Sequence, residues 1–154
     1  MDFIVTPKTF GETEGALFLP FFEKQLQVPA SLSKEDKSFL QQAFQKFSFT
    51  GTKDQAVTVL LPSGKTACAV GLGPKESFHW NKLRLAIATA VSLAQKLQLT
   101  SLACETVAAG HSQREVVHSI TETAIMATYS YEQKQQKKLQ TLTKVIFTGV
   151  QKAN

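Results

Sequence analysis

The amino-acid sequence predicts an α/β fold: a mixed, mostly parallel sheet with helices on both of its faces. Three observations carry this. Apolar residues switch repeatedly between the alternation of strands and the three-to-four spacing of helices. One run, from Thr66 to Leu72, is apolar on both faces, as a strand covered from two sides must be. Strand-like and helix-like runs follow each other in the order β β α β β α β α β, which calls for crossover connections and parallel neighbours.

In chain order, "DFIV" and "GALFLPFF" read as strands, the second starting after Gly15. Pro20 lies near the end of that strand, where a missing N–H costs least. From Ser33 onward, "SKEDKSFLQQAFQKF" sets Leu40, Ala43, Phe44 and Phe47 on one helical stripe. Ser33 is a natural N-cap, and Glu35 and Asp36 sit in the first turn, where carboxylates favour the helix dipole. Two β-rich runs, Ala56 to Leu61 and Thr66 to Leu72, flank "PSGK", whose turn chemistry makes them a hairpin. A helix over roughly Phe78 to Leu97 places Leu83, Ile87, Ala90, Val91, Ala94 and Leu97 on one side, with Ser77 as its N-cap. "TSLACE" is a short buried strand. "SQREVVHSITETAIMATYSY" is a helix with a stripe of Val117, Ile120, Ala124, Ala127 and Tyr131, and "KVIFTGV" is the last strand. No internal repeat or low-complexity linker interrupts the order.

At 154 residues the length fits one domain, able to bury roughly 70% of its unfolded surface. The net charge is +5, but its distribution is uneven. Residues 1–131 carry 12 basic and 11 acidic groups, whereas residues 132–154 carry five lysines and one glutamate. The basic excess therefore lies on "YEQKQQKKLQTLTK". With arginine only at Arg84 and Arg114, this reads as a solvated Lys/Gln stretch before it reads as a nucleic-acid surface. Cys68 and Cys104 sit in apolar runs without metal or redox spacing, as buried thiols of a reducing cytoplasm do. The start lacks a basic region followed by a long apolar core, and "LAIATAVSLA" is about half of a membrane span, so no membrane is expected as a partner.

Candidate chemistry is sparse. "GLGPKE" ends a strand before a helix, where open α/β sheets bind ligands, so Gly71 and Gly73 form a candidate anion cleft. The dinucleotide fingerprint needs a third glycine, and Pro74-Lys75-Glu76 stand there instead. Tight-turn geometry accounts for both glycines without a ligand. "PSGKT" has the Gly-Lys-Thr of a phosphate loop, but in a hairpin with no helix behind it. His79 lies in a helix first turn, His111 in a loop, and His118 pairs with Glu122 on a polar helix face. Asp2, Asp36 and Asp54 are scattered, which gives no cluster for a two-metal centre. No Gly-x-Ser-x-Gly elbow occurs. The residues themselves nominate no catalytic group and no metal ligand.

The series "GALFLPFFE", "FTGTKDQAVTVLLP", "ACAVGLGPKESFHWNKLRLAIATAVSLAQKL" and "ITETAIMATYSYEQKQQKK" resembles the amino-terminal domain of the leucyl aminopeptidases. The "VGLGPKE" turn before Leu83-Arg84, the Phe49-x-Gly51 pair and the Ala-x-x-Ala-Thr-Tyr-x-Tyr run carry the likeness in order and spacing over nearly the whole chain. The resemblance implies a macro-domain-like three-layer α/β/α fold, forming residues 1–154 as a single amino-terminal domain. It implies that the lysine, the arginine and the carboxylates binding two Mn²⁺ or Zn²⁺ ions belong to a separate carboxyl-terminal peptidase domain, absent from this chain. Peptides would then reach the enzyme only through that domain. This one would serve hexamer assembly and access to the active site, be inactive by itself, and hold no cofactor. Two other readings stand beside it: a macro-like binder of an anion or nucleotide at Gly71 and Gly73, and a DNA-contacting module using the Lys134 to Lys138 stretch.

Overall fold

The computed structural model describes residues 2–13, 15–105, 113–134 and 142–148. Six strands form one sheet: β1 (Asp2–Val5), β2 (Ala16–Phe22), β3 (Ala56–Leu60), β4 (Thr66–Gly73), β5 (Ser101–Glu105) and β6 (Lys144–Thr148). Three helices complete the fold: α1 (Lys34–Lys46), α2 (Trp80–Lys96) and α3 (Gln113–Lys134). The strand order is β1-β6-β5-β2-β4-β3, and every pairing is parallel except the β3–β4 hairpin. This is the mixed, mostly parallel sheet that the patterning predicts.

Side chains alternate between the two sheet faces, so each face builds its own core. On one face Phe18, Cys68, Val70 and Cys104 pack under α2 and α3. The α2 stripe of Ala86, Ala90 and Ala94 is fully buried there, and small side chains let a helix lie close to the sheet. On the other face Leu17, Leu19 and Phe21 pack under Leu40 and Phe44 of α1. That second core holds a ring cluster: the rings of Phe44 and Phe49 lie 4.8 Å apart, and Phe21 meets both edge-on at 5.3 and 5.9 Å.

Local signals explain the element ends. Ser33 Oγ accepts the Asp36 amide at 3.2 Å, as an N-cap should. Pro20 pairs with Val70 of β4 but stands beyond Phe18, the last residue of β2 paired with β5. Four expectations need correction. Phe47 and Leu97 are 56% and 50% exposed, because each occupies a helix C-cap beyond the stripe that meets the sheet. Val116 takes the fully buried place expected of Val117, which is half-buried. Ser77 does not cap α2: it lies in a short 3₁₀ turn, Lys75–Ser77, and donates to the Pro74 carbonyl at 3.3 Å. His79 occupies the N-cap position without a side-chain bond. The Tyr131 and Lys134 side chains, His111, Lys137 and Lys138 lie outside the described residues.

Among the described residues no helix is long and apolar enough to cross a membrane.

Candidate functional site

The glycine turn sits where β4 leaves the sheet, before the 3₁₀ turn and α2. Its two glycines are required for different reasons. At Gly71 a Cβ would collide with the Thr52 carbonyl and, at 2.7 Å, with the Gly51 backbone, so only glycine permits this approach. Gly73 has φ +77°, in the left-handed region that side chains disfavour, although a Cβ there meets nothing closer than 3.4 Å.

What approaches is the chain's own loop, residues 49–55. Phe49, buried to 3% exposure between Phe21 and Phe44, anchors its start. Its carbonyls then take the glycine amides: Gly71 donates to Gln55 O at 2.8 Å and Gly73 to Gly51 O at 3.0 Å. The exit of β2 joins the same knot, with Glu23 donating to Gly73 O and Lys24 to Thr50 O, both at 2.9 Å. The Gln55 side chain organises the loop from inside. Its Oε1 accepts the amides of Thr50 and Thr52, and its Nε2 donates to Ser48 O. Beneath the loop remains a cavity of about 40 Å³, reached by Lys53, Gly71, Lys82, Leu85 and Ala86, room for a water or two. Lys82 Nζ donates to Ser77 Oγ at 3.2 Å.

The other candidate groups do not converge. His118 Nε2 lies 3.9 Å from Glu122, and Arg84 lies 3.5 Å from the same carboxylate, all well exposed, so this trio contributes little to stability. Cys68 and Cys104 flank Phe18 on opposite neighbouring strands of β2. Two strand spacings separate them by about 9–10 Å, beyond disulfide reach of about 7 Å. Burial pushes the Cys68 thiol up to about 11, and drives Cys104 higher still with Cys68 adding to the effect. Both are neutral and poorly nucleophilic at neutral pH. Glu12 is held below the usual carboxylate range by the Thr9 amide, which donates to it at 2.8 Å, by the Thr9 hydroxyl and by Lys8 nearby.

Two features escaped the sequence reading. Asp36 is buried to 2% exposure and does more than favour the α1 dipole. It accepts the Ser63 amide at 3.2 Å and the Ser63 hydroxyl at 2.6 Å, tying α1 to the hairpin turn 27 residues away. The second is a cleft of about 450 Å³ over the β1–β6–β5 part of the sheet face that α1 shares, with Ile4 and Ile146 in its floor and Lys8, Glu12 and Lys144 on its walls. No spacing in the sequence joins these residues, which come from two segments more than 130 positions apart.

Among the described residues no three His, Cys, Asp or Glu side chains could hold a metal ion together. Asp36 is bonded to Ser63, Glu12 to Thr9, and Glu122 faces Arg84, so these three carboxylates do not converge on a two-metal centre.

With this geometry established, comparison with known proteins places the chain. Its fold is similar to that of a tomato leucine aminopeptidase variant, with TM-score 0.77 at 16% identity, covering 100% of this chain and 33% of that one. The bottromycin maturation enzyme BotP is similar at TM-score 0.64 and 19% identity, covering 88% of this chain and 27% of that one. The macrodomain of Thermus aquaticus DarG matches at TM-score 0.64 and 13% identity, covering 96% and 97%. The chain thus spans about a third or less of the two enzymes and nearly the whole of the macrodomain. No curated protein matches it. A family model described as the amino-terminal domain of the cytosol aminopeptidase family matches residues 18–138, and the chain belongs to that family as this domain.

Proposed function

We propose that this chain is a non-catalytic module of a metallo-aminopeptidase, a single domain over residues 1–154 whose enzyme removes amino-terminal residues, leucine among them, from peptides in the cytoplasm. The observation that carries the reading is the family match over residues 18–138. Peptide hydrolysis and the Mn²⁺ or Zn²⁺ ions belong, on this reading, to the catalytic domain that the amino-terminal domain accompanies. This domain contributes to subunit assembly and to access of peptides. The Gly71 and Gly73 turn serves architecture, a role supported by the amides' bonds to Gln55 O and Gly51 O. The test is an aminopeptidase assay of the 154-residue chain on a leucyl anilide with Mn²⁺ or Zn²⁺ supplied. Background rates are expected, and metal-dependent turnover would refute the reading.

A second reading, an anion or nucleotide held at this turn, draws on the likeness to the DarG macrodomain. Lys53 and Lys82, which reach the small cavity, would meet such an anion in place of the glycine amides. Calorimetric titration with ADP-ribose tests it: saturable heat supports binding, and a flat trace up to millimolar ligand removes it. DNA contact through Lys134 to Lys138 calls for filter binding at rising salt, since phosphate contacts weaken steeply with ionic strength.

A further inference from the structure

The sheet has two edges, and the chain treats them differently. At β1 the Asp2 amide donates to Thr143 O and the Thr6 amide to Phe147 O, so even-numbered residues point into the sheet. Phe3 and Val5 therefore turn their backbone groups outward. The next outward position is Pro7, which has no N–H, so this edge is short and closed to extension.

At β3 the pattern is reversed in parity and lacks any such guard. Gln55 O accepts the Gly71 amide and the Leu61 amide donates to Lys65 O, so odd-numbered residues face β4. Ala56, Thr58 and Leu60 present their N–H and C=O groups outward, and no strand lies beyond β3 among the described residues. The strand is "AVTVL": uncharged, free of proline and glycine, and rich in β-branched residues. It is also close to symmetric about Thr58.

We propose that β3 is a self-association surface, pairing antiparallel with β3 of a second copy about Thr58. In that register Thr58 meets Thr58, Ala56 meets Leu60, and all outward backbone groups of one strand find partners on the other. Side chains support the same arrangement. Leu60 is 68% exposed and Leu85 of α2 is 59% exposed, without an explanation inside one molecule. Ala56, Thr58 and Leu60 share the sheet face of Cys68 and Val70, the face that α2 covers. Leu85 lines the same small cavity as Ala56. Pairing Leu60 against Ala56 of the second copy carries it to that copy's Leu85, so each protomer covers the other's exposed leucine. No charged residue lies within either strand to oppose this. A pairing of two five-residue strands is a short contact, so the dimer forms and dissociates with concentration.

Sedimentation velocity of the 154-residue chain, from about 10 µM to about 1 mM, measures this directly. A monomer–dimer equilibrium is expected, with slowed hydrogen exchange at Ala56, Thr58 and Leu60 as concentration rises. Thr58→Pro removes an outward donor without touching a bond to β4, and should raise the dimer dissociation constant about tenfold or more. Should Thr58→Pro fail to fold, Leu60→Lys alters only an exposed side chain and should weaken the dimer likewise. A chain that stays monomeric throughout overturns the proposal. So does a dimer indifferent to a folded Thr58→Pro or to Leu60→Lys, or one whose β3 amides exchange freely.

Discussion

The two cores on either side of the sheet hold their helices in different ways. Under α2 and α3 a stripe of small residues, Ala86, Ala90 and Ala94, packs with Cys68 and Val70 beside the buried rings of Phe18 and Phe147. Under α1 three rings cluster, Phe44 tilted against Phe49 and Phe21 edge-on to both, at distances near those of favourable aromatic pairs. The alanine stripe of α2 sets how closely that helix approaches the sheet. The ring cluster under α1 does something else: it fixes Phe49, and through Phe49 the loop whose carbonyls hold Gly71 and Gly73. One side controls spacing, while the other controls what covers the carboxyl end of β4.

Variants on each side can break that contrast. The largest effect belongs to Gly71→Ala, whose Cβ meets loop backbone that cannot step aside. A loss of more than about 4 kcal/mol is expected, read as a collapse of the denaturation midpoint. Phe49→Ala removes the anchor itself and should cost about 3–5 kcal/mol by chemical denaturation. If the loop is held by the ring cluster, the variant should also speed exchange of the Gly71 and Gly73 amides, whereas Ala90→Gly across the sheet should leave them slow. Asp36→Ala removes two bonds to the hairpin turn and should cost about 2 kcal/mol. Asn at the same position should recover part of that loss. The smallest effect is a gain. Gln95 of α2 is 1% exposed, and its amide finds no hydrogen-bond partner among the described residues. Gln95→Met fills the same space without a polar group and should stabilise by about 1 kcal/mol, seen as a higher melting temperature.

Much of this architecture was legible in the sequence because it depends on neighbours. The Ser33 cap, the hairpin turn around Gly64, the Leu40–Phe44 stripe and the two-faced apolar run of β4 all follow from residues within a few positions. Periodicity failed where it had to know the extent of the sheet. Phe47 and Leu97 continue their stripes, but the surface they would cover has ended. It failed also where a short 3₁₀ turn intervened and moved the α2 cap from Ser77 to His79. The candidate site was legible only as a location. Gly71 and Gly73 stand at the strand end that topology favours, but their environment comes from residues 49–55, the loop that leads into β3. Nothing local in "VGLGPKE" announces that a backbone carbonyl will lie against Gly71. The Asp36–Ser63 bond was hidden for the same reason, across 27 residues.

The central claim is that the glycine turn is closed by the chain's own loop. Amide hydrogen exchange at Gly71 and Gly73, followed by NMR with and without phosphate or ADP-ribose, tests it most directly. Both amides should exchange slowly in the free protein and at the same rate when either compound is present. Fast exchange that becomes slow on adding phosphate or ADP-ribose would contradict the account, because those amides would then be waiting for an anion.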